Sequence, residues 1–154
     1  MTAKTEQDET SKNKRLVLDL HHLWNSSDMT KIATIYHPDF TAHWPASSET
    51  PTRKGLAGVR YGIERIRAAF PDWTETVLDM LEDGDRVTTR YRSTGTHKGA
   101  FWGIEPTGRT IEIDEISIYE IRDGLIYQQW CLCDELARLK QLGCEIDRTT
   151  AIPL

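Results

Sequence analysis

Residues 95–109 read GTHKGAFWGIEPTGR, a stretch with four glycines, one proline and two adjacent aromatic residues in fifteen positions. Glycine at this density indicates a backbone that turns sharply or passes close to another part of the chain. Phe101 and Trp102 in its centre are too apolar for an ordinary solvated loop, so we expect them to cover a cavity or to plug the fold. The stretch joins two predicted strands, residues 86–94 and 110–121.

The rest of the chain divides into an α-rich first half and a β-rich second half. Apolar residues at helical spacing predict helices over residues 16–24, 32–36, 55–70 and 134–142. Alternation predicts strands over 40–44, 73–81, 86–94, 110–121 and 125–133, with hairpin turns at 82–85 and 122–124. This order is typical of an α+β domain, a curved antiparallel sheet half-covered by three N-terminal helices. We expect a conical barrel with an internal cavity, a natural place for a small ligand.

Composition excludes several functional classes. The 154 residues carry a net charge of −5 without a basic block, which argues against a nucleic-acid partner. No apolar run approaches the roughly 18 residues that a membrane span requires. The polar N-terminus lacks the apolar core of a signal peptide, so we expect a cytoplasmic protein. The predicted organisation is a disordered tail over residues 1–13, one domain over 14–144 and a C-terminal tail over 145–154.

The cysteines do not predict a metal centre. Cys131, Cys133 and Cys144 are an odd and sparse set that suits a reducing compartment better than a disulfide framework. Cys131 and Cys133 lie on one side of a strand without a second cluster, which is more typical of buried packing than of metal binding. His21 and His22 are adjacent on a helix and face different directions, so they do not form a metal site either.

Six short strings in order resemble the SnoaL-like polyketide cyclase and ester cyclase family, part of the cystatin-like α+β cone superfamily. The resemblance covers roughly residues 14–143. The strings are HPDF at 37–40, FPDW at 70–73, EDGDRV at 82–87, GTHKGAFWGIEPTGR at 95–109, IRDGLI at 121–126 and LKQLG at 139–143.

The resemblance implies cofactor-independent acid–base chemistry on a small hydrophobic molecule that contains a carbonyl or ester group. In such chemistry a carboxylate removes a proton next to a carbonyl, polar groups stabilise the enolate, and the acid protonates the new alkoxide. Relatives with this fold also include polyketide-tailoring hydroxylases. A non-catalytic small-molecule-binding domain is a third reading, because the fold alone does not define the reaction.

Carried over by position, the resemblance departs from the cyclase subgroup at two sites. Cys131 stands where that subgroup has its catalytic aspartate, and Ser117 stands where it has a histidine. Trp130 followed by Asp134 resembles the pattern of the broader ester cyclase branch.

Three residues are therefore expected to supply the acid–base groups: Glu115, Asp134 and His43. Glu115 lies on a predicted central strand, where burial would raise its pKa, although an ion pair with Arg90 or Arg92 is an equal alternative. Asp134 opens the last helix, so an N-cap is its structural alternative. His43 either points into the cavity or is a hydrogen-bonded core residue.

A second set is expected to bind the substrate. It comprises Trp44, His97, Trp102, Tyr119, Trp130 and Cys131, with two of the four aromatic residues expected to touch the ligand. For His97, bracing of the glycine-rich stretch is an equal alternative. Apolar residues on both faces of strand 110–121 predict that its outer face is covered in a homodimer.

Overall fold

The computed structural model describes residues 10–145, which form four α-helices and six β-strands. The helices are α1 (Lys12–Ser26), α2 (Ile32–Ile35), α3 (Gly55–Ala69) and α4 (Glu135–Gln141), with a 3-10 turn at Met29–Lys31. The strands are β1 (Tyr36–His43), β2 (Thr52–Lys54), β3 (Thr74–Asp83), β4 (Arg86–Thr96), β5 (Thr110–Arg122) and β6 (Leu125–Cys133). Most of the two predicted tails lies outside the described residues, and α1 already begins at Lys12.

The strands form one mixed sheet in the order β2-β1-β6-β5-β4-β3. Four of the five neighbouring pairs are antiparallel, as predicted, whereas β1 and β6 run parallel. Parallel strands need a long connection, and here it contains α3 and four strands, β2 to β5. Within the described residues the edge strands β2 and β3 do not pair, so the curved sheet is not closed into a barrel.

Strand β5 lies inside the sheet and alternates strictly between its two faces. Its inner face, which looks toward the helices, carries the buried residues Ile111, Ile113, Glu115, Ser117 and Tyr119. Its outer face carries Ile116 and Ile118, whose exposed fractions are 48% and 38%. The predicted central strand with apolar residues on both faces is therefore confirmed.

Helices α1 and α3 cover part of the inner face. Val17, Leu20 and Leu23 of α1 and Ile63 of α3 are at most 1% exposed. Burial of each such side chain contributes about 1.5–3 kcal/mol to stability. Within residues 10–145, no helix is long and apolar enough to cross a membrane.

Two boundaries in the first half differ from the prediction. Strand β1 starts at Tyr36 instead of Phe40, because Pro38 disfavours the helical conformation at the preceding residue, His37. Strand β2 lies between the predicted strand 40–44 and the predicted helix 55–70, where neither helix nor strand was predicted. Its three residues pair with β1 but carry no apolar alternation that would reveal a strand.

The glycine-rich stretch 95–109 extends the hairpin between β4 and β5. It packs on the C-terminal end of α3. The backbone N–H groups of Lys98 and Gly99 donate to the carbonyl of Ala69, at 2.9 and 3.0 Å. A Cβ on Gly99 would collide with the carbonyl oxygen of Ala68, so only glycine allows this approach. The predicted close passage of the backbone is thus confirmed.

Candidate active site

A cavity lies between the inner face of the sheet, α1, α3 and the glycine-rich stretch. Its enclosed volume is about 50 Å³, and the space increases to about 560 Å³ when the open mouth is included. Its walls combine aromatic and charged side chains. They are formed by Trp24, Trp44, Ser48, Glu49, Thr50, Arg53, Arg65, Ile66, Trp73, Glu75, Phe101, Trp102, Glu115, Glu135 and Arg138.

Five aromatic residues form the apolar part of this wall. Phe101 and Trp102 stack with their ring centroids 5.1 Å apart and their planes at 12°. The backbone of Trp102 has a φ of 52°, which turns the chain so that both rings reach the cavity. The predicted position of these two residues at a cavity is confirmed. Trp24, Trp44 and Trp73 complete the set.

Glu115 is the most deeply buried carboxyl group of the cavity, with 3% of its surface exposed. Its Oε2 lies 3.4 Å from the Tyr91 hydroxyl and 3.6 Å from Cys131 Sγ. Its Oε1 is buried and has no hydrogen-bond partner among residues 10–145. Burial raises the pKa of this carboxyl group, the positive charge of Arg138 opposes the rise, and the negative charge of Glu75 adds to it.

A short network of hydroxyl and amide groups surrounds Glu115. Tyr91 Oη lies 3.2 Å from Ser117 Oγ, and the amide of Gln129 donates to the same Oγ at 3.1 Å. Burial raises the pKa of the Tyr91 phenol well above its usual value, so this group stays a neutral hydrogen-bond donor. The network therefore holds one oxygen of Glu115. The buried Ser93 hydroxyl lies near the same carboxyl group and lowers its pKa, while Oε1 makes no hydrogen bond among residues 10–145.

A second carboxyl group of the cavity, Glu75, is held by a buried histidine. His21 Nδ1 lies 2.6 Å from Glu75 Oε2, and the indole N–H of Trp73 donates to Glu75 Oε1 at 3.1 Å. His21 Nε2 lies 3.4 Å from the hydroxyls of both Thr89 and Tyr119. Both oxygens of Glu75 are thus engaged, in contrast to Glu115.

A third carboxyl group, Glu135, comes from the first turn of α4. Cys133 donates its thiol hydrogen to Glu135 Oε1 at 3.1 Å, and Arg138 Nη1 lies 4.0 Å from the same oxygen. Arg138 is 5% exposed, and its guanidinium lies 5.4 Å from the centre of the Phe101 ring.

Glu115 and two cysteines form a group of three potential metal ligands within residues 10–145. Glu115, Cys131 and Cys133 each offer one ligand atom, and these atoms lie within 4.8 Å of one another. Two sulfur ligands and one oxygen would suit a thiophilic cation such as Zn²⁺. Burial raises the pKa of the Cys131 thiol well above its usual value, which disfavours the thiolate that a metal needs.

Of the three predicted acid–base residues, the structure brings only Glu115 into the cavity. Asp134 is exposed and accepts a hydrogen bond from the backbone N–H of Ala137 at 2.9 Å, so it is the N-cap of α4. His43 follows the buried Ala42 on β1, so it faces the outer side of the sheet. There it stacks on Trp130 with the ring centroids 5.5 Å apart.

Some of the predicted binding residues also line the cavity, and others do not. Trp44 and Trp102 line the cavity, whereas Trp130 lies on the outer face beside His43. Tyr119 is fully buried in the core. Cys131 lies behind Glu115 on the inner face.

His97 braces the glycine-rich stretch and does not line the cavity. It is fully buried, its Nδ1 accepts from the backbone N–H of Thr107 at 3.2 Å, and its ring packs 5.4 Å from that of Phe70. The bracing alternative given for His97 is therefore the one that its contacts support.

The ion pair considered for Glu115 does not form. Arg92 contacts Asp114 at 2.7 Å and Arg90 lies 3.7 Å from the same residue, all on the outer face. Glu115 follows Asp114 on the strand and therefore points the other way.

Sequence reasoning missed several residues in or behind the cavity wall, although some had a readable signal. His21, behind the wall, shares a helix face with Val17 and Trp24, four and three residues away, which places it toward the core. Glu75 lies two residues after Trp73, which directly precedes β3, so alternation places both side chains on one side of the sheet. Arg53 had no such signal, because it lies in the short strand β2, where no element was predicted.

Comparison with known proteins agrees with this architecture. The profile of the SnoaL-like polyketide cyclase family matches residues 14–142. IdmH from Streptomyces antibioticus, a proposed polyketide cyclase, is 32% identical with a TM-score of 0.75, over 87% of this chain and 100% of that one. TsrD from Streptomyces laurentii is 28% identical with a TM-score of 0.76, over 86% and 95% of the two chains.

AclR from Streptomyces galilaeus, a proposed hydroxylase, is 26% identical with a TM-score of 0.73, over 87% of this chain and 97% of that one. No curated protein matches the chain significantly. A curved β-sheet covered by helices around a cavity defines the general class of α+β fold. The match to the family profile defines the family. The chain belongs to the SnoaL-like polyketide cyclase family.

Proposed function

We propose that the protein is an enzyme that transfers protons, without a cofactor, on a small carbonyl- or ester-containing molecule. Glu115 is its central acid–base group. The observation that carries this proposal is the free Oε1 of Glu115, a buried carboxyl oxygen without a partner among residues 10–145, in a cavity wall. A carboxyl group with a raised pKa is a stronger base when ionised than an ordinary glutamate.

In the proposed reaction, Glu115 Oε1 removes a proton from a carbon next to the substrate carbonyl. The electron pair of the C–H bond moves into the enolate, and the proton resides on Glu115. The proton on Glu115 exchanges with water, and Glu115 then protonates the enolate carbon. Where the enolate carbon has instead added to a second carbonyl of the substrate, Glu115 protonates the alkoxide formed from that carbonyl. In both cases the carboxylate is regenerated. Tyr91 holds Oε2 and fixes the orientation of the carboxyl group.

The aromatic wall supports a flat and largely apolar substrate. Trp44 and Trp102 present aromatic rings to the same cavity as Glu115. Such rings bind conjugated molecules over a large area with little loss of side-chain freedom.

Hydrogen–deuterium exchange tests the proposal without knowledge of the natural substrate. We expect the protein to accelerate deuterium incorporation next to the carbonyl of flat aromatic ketones, with 1-tetralone as the first probe, followed by NMR in D₂O. Glu115→Gln should reduce this rate at least about 100-fold, a typical effect of losing a general base. Glu112→Gln is the matched control, since Glu112 is an exposed carboxyl on the outer face of the same strand.

Exchange no faster than in buffer, or equal rates for Glu115→Gln and the unmodified protein, would contradict the proposal. Binding of the ketones without exchange would instead favour the non-catalytic binding domain.

A further inference from the structure

Arg53 is the cavity cation that differs from the other two. Arg65 contacts the Glu49 carboxylate, and Arg138 lies 4.0 Å from Glu135. Within residues 10–145, no carboxylate lies within 4.0 Å of the Arg53 guanidinium. Arg53 is half-buried, so its positive charge is partly withdrawn from water, which is unfavourable unless something else compensates it.

The surroundings hold the Arg53 side chain in place but do not neutralise it. Its Nε donates to Thr50 Oγ1 at 3.2 Å, and its guanidinium carbon lies 4.9 Å from the centre of the Trp44 ring. These contacts fix one edge and one face of the planar group. The two terminal nitrogens have no protein acceptor among the described residues, and the side chain lines the cavity.

Helix α3 leaves room for this guanidinium. A Cβ at Gly62 would lie 2.5 Å from Arg53 Nη1 and 3.1 Å from the Trp24 ring. Glycine within a helix is less favourable than alanine, so its presence here needs a reason. The reason is close approach, since any larger residue would push the guanidinium away from α3.

We propose that the substrate carries a carboxylate group and that Arg53 binds it through its two free terminal nitrogens. The guanidinium presents parallel N–H groups that match the two oxygens of a carboxylate, and it stays charged at any physiological pH. The attached conjugated body would then lie along Trp44, within the cavity that Glu115 also lines. The inference rests on the proposed function for the identity of the site, but its test does not depend on turnover.

Benzoate and benzamide are suitable probes because they share shape and differ in charge. Tryptophan fluorescence of the full chain, titrated at constant ionic strength, should show saturable benzoate binding that is about ten- to hundredfold tighter than benzamide binding. A roughly tenfold to hundredfold difference in affinity corresponds to the contribution of a hydrogen bond between charged groups. Arg53→Gln should abolish the preference for the acid, and Arg60→Gln, at an exposed cation of α3 outside the cavity wall, should keep it.

Absence of saturable benzoate binding, equal affinity for the two probes, or a preference that persists in Arg53→Gln would overturn the proposal. Should Arg53→Gln not fold, the Nε–H NMR signal of Arg53 in the unmodified protein provides the second measurement. It should shift with benzoate and not with benzamide, and no shift with either would also overturn the proposal.

The two proposals fail separately. Benzoate has no proton next to its carboxylate carbon to exchange, so its binding reports on Arg53 alone. Glu115→Gln should lose ketone exchange and retain the preference for benzoate.

Discussion

His21 and Glu75 form a buried pair, with Nδ1 of the histidine 2.6 Å from Oε2 of the glutamate and exposed side-chain fractions of 4% and 7%. The pair joins α1 to β3 across the interior, and its Glu75 lies in the wall of the cavity. It therefore links the packing of the first helix to the shape of the site.

We expect Glu75→Ala to destabilise the protein by about 2–4 kcal/mol, because it leaves His21 and the Trp73 indole N–H without their shared acceptor. The free energy of unfolding in urea measures the loss. Glu112→Ala, which removes an exposed carboxylate from a surface pair with Arg92, should change it by less than about 1 kcal/mol. Similar values for the two variants would show that the buried pair does not stabilise the fold.

The raised pKa of Glu115 predicts a loss of stability with rising pH. A carboxyl group whose pKa is higher in the folded than in the unfolded state retains its proton when folded, so unfolding releases a proton between the two values. The free energy of unfolding should therefore fall as the pH rises above the ordinary value of 4.5 and through the folded pKa. The maximum slope for one group is about 1.4 kcal/mol per pH unit.

Glu115→Gln isolates this contribution, because the amide does not titrate. The difference in unfolding free energy between Glu115→Gln and the unmodified protein should grow in favour of the variant across that pH window. A difference independent of pH would mean that the folded and unfolded pKa values of Glu115 are equal.

Much of the site was predictable where alternation was unambiguous. Strand β5 alternates over thirteen residues, and this pattern placed Glu115 on the inner face. The same rule shows why other expectations failed. Trp130 and Cys131 are adjacent on a strand, so they cannot both face the cavity. His43 follows Ala42, and the small apolar residue takes the buried position.

The remaining residues depend on contacts between distant segments. Arg53 reaches the cavity from a three-residue strand whose pairing with β1 has no apolar pattern. Glu75 becomes part of a pair only because α1 brings His21 to β3, 54 positions away in the chain. Neither contact has a local signal, so sequence periodicity could not reveal them.

Two substitutions at Asp134 distinguish a capping role from a catalytic role. Asp134→Ala should destabilise the protein by about 0.5–2 kcal/mol, whereas Asp134→Asn, which can still accept from Ala137 N–H, should be nearly neutral. Both variants should retain the 1-tetralone exchange rate of the unmodified protein. A loss of exchange in Asp134→Asn at unchanged stability would restore the catalytic role expected from the sequence.

We predict a homodimer that forms through the outer face of the sheet. Ile116 pairs directly with Leu132 across β5 and β6, and their exposed fractions are 48% and 73%. Exposed apolar groups of this kind are typical of a protein interface. We expect a dimer by light scattering, and Leu132→Lys should convert it to a monomer.

Leu136→Lys is the matched control, since Leu136 on α4 is 44% exposed and lies outside the sheet. A monomeric unmodified protein would refute the dimer. A dimer unaffected by Leu132→Lys would place the interface elsewhere.

The donor group of Glu115, Cys131 and Cys133 makes the expected independence from cofactors testable. We expect extensive dialysis against EDTA to leave 1-tetralone exchange unchanged, because Glu115 acts as a free carboxyl group in the proposed reaction.

Added Cd²⁺ should inhibit exchange, since a cation held by the two thiolates would also bind the Glu115 carboxylate. Cys133→Ser should weaken this inhibition while retaining exchange, because Cys133 contacts Glu135 and not Glu115 in the absence of metal. Loss of exchange after EDTA and its recovery with Zn²⁺ would instead identify the group as a functional metal centre.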